Sequence, residues 1–345
     1  MLNANAHKKF TASGEKEAEM LLERVLTDIG RTLSGTGLCV CLGGSYGRGD
    51  GGVRLDQENG ILYNDLDFFV FARKKSSDAE KMLKEIAVRY EEELKIDVDF
   101  SSIMCVKDIK NNASRLMMQE LKRGYHLVCG EDLLEKYLPE KPAEELPFSE
   151  ACRLMVNRGM GLLLAGEKIV NDSEDTDFIM RNIYKAILGA VDAVLIRQGE
   201  YCWSLTERLN IVKASDMPEI WKEFYCEAVE FKRSPHRNKK PDMLAFWQNV
   251  REFFLSAMVR CAGATKENDF KDGIYICCSR SRERSIVNYM KYCIKTRTLP
   301  LIPPGYHTIP PVAVLAGDVF SALSRNIPQA VDKQSKLYRH WLMFN

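Results

Sequence analysis

Between residues 15 and 34 the apolar side chains Met20, Leu21, Val25, Leu26, Ile29 and Leu33 recur at helical spacing. That pattern predicts an amphipathic helix, and Gly35 and Gly37 end it. LCVCL at 38–42 is short, apolar and bounded by glycines, as a buried strand should be. A second strand is predicted over LDFFVFA at 66–72, a second helix over 78–95, and a third strand over IDVDFSSI at 96–103, which alternates apolar and polar residues. Residues 113–122 read as a short helix, and YHLVCG at 125–130 as a strand leading into EDLLEKYL.

The polar, proline-bearing stretch PEKPAEELPF at 139–148 then marks a boundary between a domain over 1–140 and a second over 141–345. Beyond it the periodicity turns helical over 149–166, 177–198, 203–212, 217–232, 241–261 and 280–295. LPLIPPGYHTIPP at 299–311 is too rich in proline for a helix or a central strand and reads as an extended connector. No internal repeat is visible. The expected class is α+β, a mixed-sheet domain followed by an α-helical one.

Composition narrows the picture. The 345-residue chain can bury more than one core, and with 46% apolar and 28% charged residues it has the balance of a folded globular protein. Its net charge of +1 supplies no overall field to gather a polyanion, which favours small substrates or local basic contacts. The polar start MLNANAHKKFTASGEKE has no secretory character, and no apolar run approaches the roughly 20 residues that span a bilayer, so the expectation is a cytoplasmic protein without a membrane partner. The 11 cysteines are scattered and several lie in apolar runs, which suits reduced, buried thiols. The adjacent Cys277 and Cys278 lack the spacing of a zinc site.

Candidate chemistry begins at GGSYGRGD, residues 43–50. A strand ending in a glycine turn concentrates unpaired backbone N–H groups at one spot, which suits an anion. Gly43, Gly44 and Ser45 would line it, with the Ser45 hydroxyl as a further donor and Arg48 as a charge partner for a triphosphate; an ordinary tight turn uses the same residues. In YNDLDFFVF, which follows at 63–71, Asp65 and Asp67 share one strand face while Leu66 and Phe68 share the other. Two adjacent carboxylates repel unless a cation lies between them or water solvates them at the strand end. Mg²⁺ suits the first case, because it binds a few carboxylates together with phosphate oxygens, and paired ions assist in-line phosphoryl displacement. IDVDF puts Asp97 and Asp99 on one face as well, so a neighbouring strand brings one of them beside Asp65 and Asp67 as a third acid able to take the proton of an attacking hydroxyl.

The order of strand, GGS turn, D-x-D strand, helix and a strand bearing a third acid resembles the DNA polymerase β-like nucleotidyltransferase superfamily. GSYGRG is further similar to the minimal and antibiotic-modifying branches. The resemblance covers residues 15–135. It implies a palm-type mixed-sheet domain in which Gly44 and Ser45 hold nucleotide phosphates, Asp65 and Asp67 bind two Mg²⁺ ions, and Asp99 or Asp97 is the third ligand and base. The interval between Ser45 and Asp65 is longer than the family's usual one, and DGGVRLDQENG within it reads as an added hairpin or loop that puts the helix after GGS in doubt.

Residues 181–212 resemble the helical domain of kanamycin-type and HEPN-like nucleotidyltransferases, which implies that Arg181 and Lys185, four apart on one helical face, reach the triphosphate. They equally suit a solvated rim of a helix whose core face is Ile183, Ile187 and Val191. Arg158, set among apolar residues, either snorkels outward or faces the active site. The basic runs KRSPHRNKK (232–240) and SRSRER (279–284) read as solvated loops, with contact to a nucleic-acid acceptor as the other option. The histidines have no metal spacing, and neither a G-x-S-x-G elbow nor an R-x4-6-H ribonuclease signature is present. The resulting expectation is a two-domain, Mg²⁺-dependent enzyme with its active site in the cleft between the domains. It moves a nucleoside monophosphate, AMP foremost, from ATP or another nucleoside triphosphate to a hydroxyl on a small molecule, protein or nucleic acid and releases pyrophosphate. The alternatives are a non-catalytic nucleotide sensor or antitoxin-like partner, and a nucleic-acid-modifying transferase.

Overall fold

The computed structural model describes residues 9–54, 61–236, 240–280, 290, 293–297, 310–325 and 335–344. The chain divides into two compact units, one formed by 1–141 with 229–236 and the other by 142–228 with 237–345. The class is α+β, a small mixed sheet in a chain that is otherwise mostly helical. The segment 229–236 breaks the simple two-part division expected from the sequence. No helix among the described residues is long and apolar enough to cross a membrane.

The first unit opens with α1 (Lys16–Thr32), capped by the Glu15 carboxylate, which accepts from the backbone N–H groups of Glu17 and Ala18. Its buried stripe is Ala18, Leu22, Val25 and Ile29, and Leu33 just beyond the helix is buried too. Met20, expected on that face, is exposed instead, because the stripe runs through Leu22. Gly35 and Gly37, both at positive φ, turn the chain into β1 (Cys39–Leu42). One helical turn, α2 (Gly44–Gly47), follows, and then a two-stranded hairpin of β2 (Val53–Arg54) and β3 (Ile61–Leu62). The inserted interval therefore folds as a hairpin, and the segment joining its strands, 55–60, lies outside the described residues.

Next come β4 (Leu66–Ala72), α3 (Ser77–Leu94), β5 (Val98–Phe100) and β6 (Met104–Cys105). The helices α4 (Val106–Asn111) and α5 (Leu116–Arg123), the strand β7 (His126–Cys129) and the short α6 (Leu133–Tyr137) complete the unit's main elements. The strands order as β5-β4-β1-β7, with β6 also pairing β4. β4 runs parallel to β5 and β6 and antiparallel to β1. One sheet face carries Val40, Leu42, Leu66, Phe68 and Val70, packed under α1 and α3. The other carries Cys39, Cys41 and Phe71 against Met118, Leu121, Leu133 and Leu134. Alternation along β4 thus buries one face throughout and the C-terminal part of the other, which gives way to Asp67 at the strand's N-terminal end.

The second unit is built from α7 (Phe148–Val170), α8 (Thr176–Gln198), α9 (Leu205–Ala214) and most of α10 (Glu219–Arg233), together with α11 (Met243–Ala262), α12 (Phe270–Arg280), α13 (Pro311–Leu323) and α14 (Lys336–Phe344). Glycines set the close approach of its helices: a side chain on Gly166 would strike the indole of Trp247, whose Nε1 donates to the Leu162 carbonyl oxygen at 2.7 Å. Its polar core links α8, α9 and α10. Arg208 Nε lies 3.2 Å from Asp192 Oδ1, Arg208 Nη1 donates to the Tyr201 hydroxyl at 2.9 Å, and the Tyr225 hydroxyl donates to Asp192 Oδ1 at 3.1 Å. All eleven cysteines are free thiols. The helix expected over 280–295, the connector at 299–311 and the basic run at 279–284 fall largely outside the described residues.

Candidate functional site

Antiparallel pairing aligns Leu42 with Phe68, and the chain leaves β1 by donating the Gly43 N–H to the Asp67 carbonyl oxygen at 2.8 Å. The Phe69 ring and Leu121 fill the space beside the Gly43 α-carbon, so a larger residue does not fit there. Gly44 has φ +62°, and the Asp67 carboxylate occupies the volume in which a residue 44 side chain would start. Both glycines of the turn are therefore required by the second sheet strand, one through its neighbours and one through its backbone angle as well.

The N–H groups of Gly47 and Arg48 return to the carbonyl oxygens of Gly43 and Gly44. Among the described residues the N–H groups of Gly44 and Ser45 find no such acceptor, and no side chain caps the turn. Two backbone donors therefore stand beside the Asp67 carboxylate, the kind of setting in which an anion can be bridged to an acid by a cation.

Tyr46, which the sequence reading passed over, organises this region. Its fully buried hydroxyl donates to the Gly52 carbonyl oxygen at 2.9 Å and accepts from the N–H of Tyr63 at 3.0 Å and of Asn64 at 3.3 Å. Asn64 Oδ1 in turn accepts from the Gly52 N–H at 2.7 Å. Burial holds the phenol well above the ordinary tyrosine range, so it stays a neutral donor. The residue before Asp65 is thus locked to the glycine turn, and the hairpin springs from Gly52 without disturbing it. An aromatic residue inside GGSYGRGD was the available signal.

The parallel register of β4 and β5 places Asp67 directly across from Asp99, with Leu66 opposite Val98 and Phe68 opposite Phe100. The Phe68 and Phe100 rings stack at 4.6 Å. The acids therefore share one face and the apolar residues the other. The Asp99 carboxyl is raised above its ordinary value, first by partial burial and then by the charge of Asp65, followed by Asp97 and Glu91. Asp97 is exposed and precedes β5, and its carbonyl oxygen accepts from the Leu66 N–H at 2.9 Å. Asp99, not Asp97, is the register partner of Asp67.

Among the described residues no group of three or more His, Cys, Asp or Glu is drawn together tightly enough to hold a metal by itself. Carboxylate oxygens are the ligand type Mg²⁺ prefers, and that ion commonly takes only one or two of them and completes its shell with phosphate oxygens and water.

Arg48 is engaged sideways. Its guanidinium pairs with Glu120 at 3.4 Å while its stem covers Gly124. Arg181 and Lys185, both half-buried, belong to α8 of the second unit. Lys232 and Arg233 end α10, in the stretch that belongs to the first unit. No family model matches the chain, and neither a curated protein nor a solved structure does.

Proposed function

We propose that the first unit is the catalytic half of a divalent-metal-dependent nucleotidyltransferase of the polymerase β-like type. The reaction is transfer of a nucleoside monophosphate, AMP foremost, from a nucleoside triphosphate to a hydroxyl group. The observation that carries this reading is that the Asp67 carboxylate lies against the backbone of Gly44 while the parallel register of β4 and β5 aligns Asp67 with Asp99.

Asp65, Asp67 and Asp99 would hold Mg²⁺, which neutralises phosphate charge when bound. The Gly44 and Ser45 N–H groups orient the triphosphate, and the Ser45 hydroxyl adds a donor. Asp99 takes the proton of the acceptor hydroxyl as its oxygen bonds to the α-phosphorus. The bond from that phosphorus to the β-phosphate oxygen breaks, and the electron pair leaves with pyrophosphate. Positioning and charge compensation account for such catalysis.

The test is a thermal-shift screen of nucleoside triphosphates with Mg²⁺, followed by pyrophosphate release from the full chain and from Asp67→Asn. Nucleotide-dependent stabilisation together with release that Asp67→Asn abolishes supports the assignment. Stabilisation without release points to a nucleotide sensor, and turnover by Asp67→Asn within a few-fold of wild type refutes the metal role.

A further inference from the structure

Residues 229–236 count with the first unit although the chain on both sides of them belongs to the second. The reason lies in their packing. The Lys232 carbonyl oxygen and the Pro235 ring stand 3.1 and 3.2 Å from the point where a side chain on Gly52 would begin, and Asn64 Oδ1 lies 3.1 Å from the same point. Phe231 meets the Tyr63 ring edge-on at 6.2 Å and His236 at 5.4 Å. The end of α10 is therefore seated on the Gly52 and Asn64 pair that Tyr46 locks, immediately before Asp65.

Asn64 lies in the bend just ahead of β4, three residues before Asp67. The glycine turn touches the Asp67 end of that span and the basic segment touches the Asn64 end. An in-line displacement brings the acceptor to the side of the α-phosphorus opposite the leaving pyrophosphate.

We propose that Lys232 and Arg233, with His236 beside them, form the acceptor edge of the site, and that the acceptor is a nucleic acid held there through its phosphodiester backbone. This rests on the transferase reading above. It explains why a basic stretch is fixed beside Gly52 and Tyr63, next to the residues that lead into the acid-bearing strand, where carboxylates alone would repel a polyanion, and it fits a chain whose net charge of +1 leaves such attraction to local contacts.

The test follows binding of fluorescein-labelled single-stranded RNA and DNA 20-mers, about 20 nucleotides being longer than the roughly 4–16 that a single-strand site occupies, to the full chain by anisotropy across a salt series. Lys232→Ala/Arg233→Ala should weaken oligonucleotide binding at least tenfold and flatten the slope of log affinity against log salt by about 1.4, or 0.7 for each cation removed. Lys232→Arg/Arg233→Lys should bind as wild type does. ATP binding in Mg²⁺ should be the same for all three proteins, and melting temperatures check that each is folded at the assay temperature. Unchanged oligonucleotide binding by the alanine variant overturns the inference, as does loss of ATP affinity instead, which would assign the two cations to the triphosphate. A wild-type protein that transfers AMP to a small hydroxyl compound and binds neither oligonucleotide also overturns it, with the transferase reading intact. Oligonucleotide binding that depends on the two cations, in a protein that binds no nucleoside triphosphate, keeps the basic surface and removes the transferase reading.

Discussion

The carboxylate of Asp67 sits where residue 44 would need a side chain, and Gly44, at a φ of +62°, cedes that space to it. A left-handed backbone alone disfavours alanine by about 1–2 kcal/mol. Gly44→Ala adds a collision with a charged group and should lower stability by more than that. Its melting temperature should fall well below wild type, and Gly44→Ala/Asp67→Ala should recover part of the loss because the second change removes the obstacle. Equal melting of the single and double variants would show that Asp67 does not fill that space.

Tyr46→Phe keeps the ring and deletes one hydroxyl. The Tyr63 and Asn64 N–H groups then lose their acceptor in a buried setting, and each unsatisfied buried donor is worth about 1–3 kcal/mol. Urea denaturation should show a loss of about 2–6 kcal/mol for the pair. The loss should extend to function, because the released segment carries Asp65: nucleotide turnover should drop further than the folded fraction explains. Full turnover in a folded Tyr46→Phe protein would separate the clamp from the acids.

The helix and strand content of the first unit was legible because its periodicities are clean. β4 covers 66–72 as the apolar run suggests, and α3 covers Ser77–Leu94 against an expected 78–95. Pairing was not legible. Alternation puts Asp97 and Asp99 on one face alike, and only the parallel register with β4 selects Asp99 as the partner of Asp67. Met20 and Leu22 show the same gap on a helix, since both are apolar and the packing of α1 decides which is covered. Tyr46 escaped notice because a glycine-rich turn reads as a loop, and nothing local announces that its hydroxyl reaches Asn64. The seating of 229–236 on Gly52 is a contact across about 180 residues of sequence, beyond any window of periodicity.

Buried tyrosines make the fold sensitive to alkali. Burial first, aided in some by neighbouring carboxylates, raises the phenols of Tyr46, Tyr125, Tyr184 and Tyr225. Below pH 10 both folded and unfolded chains keep these protons, and stability does not depend on them. Above it the unfolded chain ionises while the native one does not, so it binds fewer protons and stability falls as pH rises. A fully buried phenol contributes at most about 1.4 kcal/mol per pH unit. Melting temperatures followed from pH 8 to 11.5 should hold steady and then decline beyond pH 10, and Tyr225→Phe should decline less steeply than wild type. Parallel curves for the two proteins would contradict the assignment.

Arg208 and Asp192 form an ion pair whose side chains are only 5% and 12% exposed. Removing one member leaves the other charge buried, which typically destabilises by about 3–5 kcal/mol. Asp192→Ala should lose that much in chemical denaturation. Arg208→Met/Asp192→Leu should regain most of it, since apolar residues of similar size replace both charges. A double variant no more stable than the single one would mean that the Tyr201 and Cys202 contacts of Arg208, rather than the pair, hold this part of the second unit together.

The three candidate acids and their neighbour give the sharpest comparison. Asp→Asn changes keep shape and remove charge, so folding should survive each of them at these partly exposed positions. Asp67 and Asp99 face each other across parallel strands, whereas Asp97 lies outside β5 and engages β4 through its backbone carbonyl, which an asparagine retains. Asp67→Asn and Asp99→Asn should each reduce pyrophosphate release at least a hundredfold, a loss of about 2.7 kcal/mol or more in transition-state stabilisation. Asp97→Asn should stay within about threefold of wild type, well under 1 kcal/mol. The comparison is made at saturating nucleotide and Mg²⁺ with melting temperatures measured alongside. An Asp97→Asn protein as inactive as Asp99→Asn would bring Asp97, two residues earlier in the chain, into the site, and an active Asp99→Asn protein would remove the third acid from it.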